Sequence, residues 1–203
     1  MELLKDKNLI STFNELIGKA GIVGEEDNRL LLFIIASSYK MEDTLHGLIQ
    51  GSSGSGKTRL LKIISDLMPE EDVKKYTRVT ESSFYNQHEY FFTNKLVCFE
   101  DLDGLKEEAL LGVRELQSND ILITSTSLKD STGNAVGGER IVRGPIASLA
   151  CTTKGDTYED NVSRSFLIAV DESIQQTNKI IDYQNQQAAG HINKEEQKRV
   201  KSF

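Results

Sequence analysis

The sequence predicts a three-layer α/β domain, with helices on both faces of a parallel sheet, and three observations carry that prediction. A glycine- and serine-rich loop, residues 51–58, joins a short apolar run, Leu48-Ile49, to an amphipathic helical pattern. Four further short runs read as strands, at 76–80, 96–99, 146–152 and 165–170, and helical segments separate most of them. One stretch departs from the alternation. Residues 121–144 alternate apolar and polar side chains, pass through Gly133-Asn134 and Gly137-Gly138, and return with Ile141 and Val142, which is the pattern of a β-hairpin.

At 203 residues the chain is long enough for one full core with a helical appendage. Residues 1–44 are read as N-terminal helices packing on that core: Ile10, Phe13, Leu16 and Ile17 fall at helical spacing, "GKAGIVGEED" breaks the pattern, and a second apolar run starts at Leu30. The core itself is placed at 45–172. After the loop, Leu60, Leu61, Ile63, Ile64, Leu67 and Met68 form a helical apolar face, and Pro69 is expected to stop it. Residues 173–203 turn polar and are read as an exposed helix and a tail.

Several function classes are disfavoured at this level. The most apolar run, "LLLFIIA" at 30–36, is far short of the roughly 20 residues needed to cross a bilayer, and no secretory leader opens the chain, so no membrane partner and a cytoplasmic location are expected. A net charge of −7 means that any nucleic-acid contact must come from a local basic feature. Cys98 and Cys151 each sit inside an apolar run and read as small buried hydrophobes, and His46, His88 and His191 are too scattered to form a metal or catalytic pair.

Gly51-Ser52-Ser53-Gly54-Ser55-Gly56-Lys57-Thr58 satisfies the pattern G-x-x-x-x-G-K-[ST] in full, with a strand before it and a helix after it. Glycines let successive amides point inward, and the helix that follows adds the positive end of its dipole, which together make a phosphate-sized anion site. Lys57 is then expected to reach the β- and γ-phosphates of ATP, the Thr58 hydroxyl to ligate Mg²⁺, and Arg59 to join the nucleotide-contacting set. Hydrolysis also needs carboxylates. "KLVCFEDLDG" places Glu100 and Asp101 at the C-terminal end of a strand, where ligands of parallel sheets sit. Glu100 takes the metal position and Asp101 the water-activating one; the usual order is Asp then Glu, so the division of labour stays open, with Asp103 a third candidate.

With these parts in place the chain, over residues 20–177, resembles the AAA+ ATPases. "EEALLGVRELQSNDILI" resembles the helix leading into the extra hairpin of the helicase branch, and "IASLACTT" looks like the sensor-1 strand that follows the hairpin. The resemblance implies that Thr152 or Thr153 touches the γ-phosphate. "DNVSRSF" resembles the family's Ser-Arg motif, which implies that Arg164 is an arginine finger entering a neighbouring subunit's site, against the plainer reading of a surface pair with Asp160 or Glu159. The nearest likeness is to the ATPase regions that follow zinc-finger primase domains in replication proteins of bacterial mobile elements. It implies a homo-oligomeric, hexameric ring acting on single-stranded DNA, a primase domain in the same longer protein, and phosphate contacts from Lys129 and Arg140, with Arg143 beside them. A protein-remodelling AAA+ module is the alternative, whereas a small-molecule kinase would need a basic lid that the sequence lacks. Only about 30 residues follow Val170, so the helical lid of the family is expected to be short or missing, and nothing marks Arg199 as a second sensor.

Overall fold

The computed structural model describes residues 5–80, 82–129, 133–154 and 163–201. In chain order the elements are helices α1 (Leu9–Lys19) and α2 (Glu26–Ser37), strand β1 (His46–Gln50), helix α3 (Lys57–Ser65), strands β2 (Val73–Tyr76) and β3 (Lys95–Phe99), helix α4 (Glu107–Asn119), strands β4 (Ile121–Lys129), β5 (Ala135–Arg143), β6 (Ile146–Thr152) and β7 (Phe166–Ala169), and helices α5 (Ile174–Ala188) and α6 (Lys194–Lys201). Five strands form one sheet in the order β2-β3-β6-β1-β7, and each neighbouring pair is parallel. Strands β4 and β5 stand apart as an antiparallel hairpin, in register from Ile121 opposite Arg143 to Lys129 opposite Ala135.

The strands read as continuous apolar runs because both faces of the sheet are covered. Successive side chains point to opposite faces, so Leu96, Cys98, Ala147, Leu149 and Cys151 join one core with Leu32 and Ile35 of α2 and Leu61 and Ile64 of α3. Leu48, Val97, Phe99, Ile146 and Ala150 join a second core with Phe84, Phe92 and, from α4, Ala109, Val113 and Leu116. Cys98 and Cys151 are buried free thiols, and burial pushes each up to about 12. No helix among the described residues is long and apolar enough to cross a membrane.

Polar clusters fix the lower edge of the sheet, where the strands begin. Asp72, just ahead of β2, takes Lys95 at 2.6 Å, Lys40 at 2.9 Å and the Tyr39 hydroxyl at 3.1 Å. These bonds, the lysines foremost, hold its carboxyl down at about 2. His46, at the start of β1, is buried against Ser148 and Gln117.

Three local expectations shift. The strand expected at 76–80 lies at 73–76, because β2 is a sheet edge that tolerates two lysines. There Lys75 pairs with Asp66 and Lys74 lies 4.8 Å over the Phe91 ring, while Val79 is buried from a loop. Helix α3 ends at Ser65 rather than at Pro69, and Leu67 and Met68 pack on the first core from the turn beyond it. Within the polar tail, residues 194–201 form α6, which docks through Val200, through a bond between Gln197 and the Tyr183 hydroxyl, and through Lys201 to Asp66 at 2.7 Å.

Candidate functional site

The glycine loop leaves β1 at Gln50 and enters α3 at Lys57, at the edge where the parallel strands end. Gly54 and Gly56 have φ of +84° and +95°, and a Cβ on either would meet nothing within 4 Å, so glycine is needed there for backbone angle rather than space. Gly51 differs. A Cβ there would lie 2.5 Å from Val170 Cγ2, 2.7 Å from Ser55 Oγ and 2.8 Å from Glu172 Oε1, so three groups close on the loop at one point. Lys57 is buried, and its Nζ donates to the carbonyls of Gly51 at 2.8 Å and Ser52 at 2.5 Å. The Ser52 amide donates to Glu172 Oε1, and that bond, with the Lys57 charge among the lesser causes, holds the Glu172 carboxyl below the usual range. Ser55 Oγ is buried beside that carboxylate without a hydrogen bond of good geometry among the described residues.

Strands β3 and β6 bring the acidic residues to this loop. Cys151 lies on β6, the strand between β3 and β1; its carbonyl accepts the Leu102 amide at 2.9 Å and the next carbonyl, Thr152 O, accepts the Gly51 amide at 3.4 Å, so the end of β3 and the loop meet across β6. Burial chiefly raises the Cys151 thiol, with lesser influence from the Lys57, Glu100 and Asp101 charges and from Thr58. Each carboxylate has its own partner. Glu100 pairs with Lys62, one turn along α3 from Thr58, at 2.9 Å. Asp101 accepts from the Gly104 amide at 3.3 Å. Asp103 accepts from the Thr152 hydroxyl at 2.8 Å and from the Thr153 amide and hydroxyl at 2.8 and 2.9 Å. Burial works against its ionisation, but these bonds and the charge of Lys154 outweigh it and keep the carboxyl below the usual range. Both threonine hydroxyls expected at a γ-phosphate therefore donate to Asp103 in this structure.

Beside the loop lies a cavity of about 170 Å³, walled by Ile22, Val23, Ile180 and Tyr183, with Arg59 and Gln184 at its rim. Segments distant in sequence are tied together around it. Gln176 Nε2 donates to Val23 O at 2.6 Å, Asp171 N donates to Glu25 Oε1 at 2.8 Å, and Asn28 Nδ2 donates to Ala169 O at 2.9 Å. Arg59 stacks over the Tyr183 ring at 5.9 Å and reaches Gly21 O at 3.4 Å. Sequence reasoning singled out Arg59 but not Gln176, Tyr183 or Glu172. The one signal for Gln176 is its place in the first turn of a helix capped by Ser173, whose hydroxyl accepts from the Gln176 amide.

The remaining candidates lie away from the loop. Arg164 Nε donates to Ser118 Oγ at 2.5 Å, near the C-terminal end of α4. That is the opposite edge of the sheet, because Phe166 pairs with Gly47 and Gln117 touches His46. The five residues of β1 therefore separate Arg164 from its own loop by about 16 Å. Asp160 and Glu159 lie outside the described residues. On the hairpin, Arg140 bonds to Asn86 and Arg143 to Glu89 at 2.7 Å, so both bind loop residues of the same chain. The Lys129 side chain lies outside the description, although its backbone ends β4.

Among the described residues no group of three or more His, Cys, Asp or Glu side chains is placed to hold a metal ion by itself. A magnesium ion here would share its shell with phosphate oxygens, the usual arrangement for that ion. Thr58 and the carboxylates that follow β3 offer the hard oxygen donors it takes, and Lys57 at the start of α3 with the buried Ser55 hydroxyl suits an anion, so the residues present fit a magnesium–triphosphate complex. A protein-family model described as the MTBMA_p00010 P-loop domain matches residues 1–202. No curated protein matches the sequence.

Proposed function

The chain belongs to the MTBMA_p00010 P-loop domain family, which supports a nucleotide site; going beyond that membership, we propose that it binds magnesium–ATP in the 51–58 loop and hydrolyses it as an AAA+-type motor domain acting on single-stranded DNA. The observation that carries the hydrolytic reading is that the end of β3 bearing Glu100 and Asp101 abuts the loop of Lys57 and Thr58: the Leu102 amide donates to Cys151 O at 2.9 Å, the Gly51 amide to Thr152 O at 3.4 Å, and Lys62 of α3 pairs with Glu100 at 2.9 Å. Lys57, Thr58, Glu100 and Asp101 come from α3 and from the end of β3, and they supply one cation, one hydroxyl and two carboxylates at the mouth of an anion-binding loop.

The roles follow from what each group already does. Lys57, held over the loop by the Gly51 and Ser52 carbonyls, is poised to exchange them for phosphate oxygens. Thr58 and Glu100 would hold the magnesium ion, which when bound neutralises charge on the phosphates. Glu100 is one methylene longer than the Asp usual at its position, and it rests on Lys62. Asp103 is committed to two threonines, which leaves Asp101 as the better placed group to take a proton from attacking water. The apolar cavity beside Arg59 has the character of a base site, with Ile22 and Val23 supplying aliphatic surface and Tyr183 an aromatic ring. Arg164 is too far from its own loop to touch its γ-phosphate, so in this reading it serves a second subunit in a ring, where such a charge is worth on the order of 10³ to 10⁵ in rate.

The ring and the substrate are tested together. Steady-state ATPase should rise per subunit with protein concentration and with added single-stranded DNA. A mixture of Lys57→Ala and Arg164→Ala chains should recover activity that neither has alone, because each supplies what the other lacks. A rate per subunit indifferent to concentration, to DNA and to mixing would reject the motor. The braced arginines of the hairpin, together with exposed Ile123 and Val136, favour a second reading in which the hairpin grips polypeptide. That reading predicts no salt-dependent affinity for single strands, whereas DNA binding should fall steeply as salt rises.

A further inference from the structure

Glu172 has no place in the chemistry just described, yet its carboxylate is seated on the phosphate loop. Its Oε1 accepts the Ser52 amide hydrogen, on the same stretch of backbone whose Gly51 and Ser52 carbonyls hold Lys57. Gly51 has to be glycine for this contact to form, since a Cβ there would strike Glu172 Oε1, Ser55 Oγ and Val170 together. The carboxylate thus takes a backbone amide of the phosphate loop beside the buried Ser55 hydroxyl, donors that an anionic ligand of the loop would also seek.

The residue is also joined to the cavity wall. Its neighbours Asp171 and Ser173 are fixed, the first by its amide to Glu25 and the second as the cap of α5 through the Gln176 amide. From that cap α5 carries Gln176, Ile180, Tyr183 and Gln184 along the cavity. Only one residue separates Glu172 from the first turn of the helix, so the carboxylate and the wall cannot move independently by much.

We propose that Glu172 is an internal competitor of the triphosphate: it occupies the Ser52 amide until phosphate displaces it. This rests on the reading that the loop binds nucleotide. A carboxylate bonded to an exposed amide near a lysine is a modest competitor, so removing it should tighten binding by about five- to tenfold.

The test is equilibrium binding of a fluorescent N-methylanthraniloyl ATP analogue with Mg²⁺ to the full chain, for the wild type and for Glu172→Gln, Glu172→Ala and Lys57→Ala, with thermal unfolding to confirm that each is folded. Tighter binding by both Glu172 variants, with Lys57→Ala binding lost, is the expected result. Equal or weaker binding by both Glu172 variants, while the wild type binds and Lys57→Ala does not, overturns the competitor and leaves the nucleotide site standing. Absence of binding in the wild type and in both Glu172 variants overturns the nucleotide site and the competitor with it. Binding by the Glu172 variants alone is the competitor in its strongest form.

Discussion

Acidification from pH 7 toward pH 4 should cost this protein stability through the His46 side chain. Its ring is almost wholly buried at the start of β1, with Nδ1 3.1 Å from Ser148 Oγ and Nε2 3.3 Å from Gln117 O, while Gln117 Nε2 donates to Ser148 Oγ at 2.9 Å. One arrangement of protons satisfies all three residues. Gln117 donates to Ser148, the Ser148 hydroxyl donates to Nδ1, and Nε2–H donates to the Gln117 carbonyl. A second ring proton would sit on Nδ1, facing a hydroxyl that is already donating there, so the cycle breaks. Burial accordingly drives the imidazole from 6.5 down to about 4, against a smaller opposing pull from the Gln117 carbonyl. The folded value lies below the unfolded one, so the neutral ring contributes stability that is fully present above about pH 6.5 and is lost as pH falls toward 4. Linkage puts the loss at about 2 kcal/mol by pH 5 and about 3 kcal/mol near pH 4. Urea unfolding of the wild type and of His46→Gln at pH 8, 7, 6 and 5 isolates the effect, because other titrations cancel in the difference. The stability gap between the two proteins should shift by about 2 kcal/mol against the wild type across that range. A gap that stays constant with pH would refute the buried neutral cycle.

Two further predictions concern packing outside the catalytic groups. Asp72→Asn leaves the Lys40 and Lys95 ammoniums facing a neutral amide, and the partial exposure of both lysines limits the cost to on the order of 2 kcal/mol at pH 7. The Asp72 carboxyl is held at about 2, so its contribution is full above pH 3.8 and fades as pH falls through 2, and chemical denaturation should show the two proteins converging toward that pH. Gly24→Ala forces a side chain onto a residue at φ +62° and into the Gln176 amide. It should lower the unfolding midpoint and weaken nucleotide binding together, with a stability loss of about 1 to 3 kcal/mol; unchanged binding would show that the Val23–Gln176 clasp does not shape the cavity.

What the sequence made legible follows the reach of its local signals. The 51–58 loop was readable because its glycines, lysine and threonine are adjacent in the chain and one motif holds them all. The acid pair was readable for a related reason, since four apolar residues aim Glu100 and Asp101 out of a strand end. Strand β2 was misplaced because edge position, which makes Lys74 and Lys75 acceptable, is a property of the sheet and not of the window. The cavity was invisible for a deeper reason. Its clasp joins Val23 to Gln176 and Glu25 to Asp171, about 150 residues apart, through single amides and carboxylates that carry no periodicity. The tail looked solvated because α6 is rich in charge, yet Val200 and Lys201 suffice to dock it against the first core and Asp66.

The charged groups around the loop share a physical logic that bears on how the site works. A carboxylate or ammonium taken from water needs a partner, and a site prepared for a highly charged ligand must meet that need before the ligand arrives. Here Lys57 bonds to Gly51 and Ser52 carbonyls, Glu100 to Lys62, Asp103 to Thr152 and Thr153, and Glu172 to the Ser52 amide. Under the proposed function, binding magnesium–ATP is an exchange of partners rather than the filling of bare groups, and its net free energy is the difference between two satisfied states. The bonds involved belong to different elements: Lys62 to α3, Asp103 to the link between the β3 loop and the end of β6, and Glu172 to the segment leading into α5.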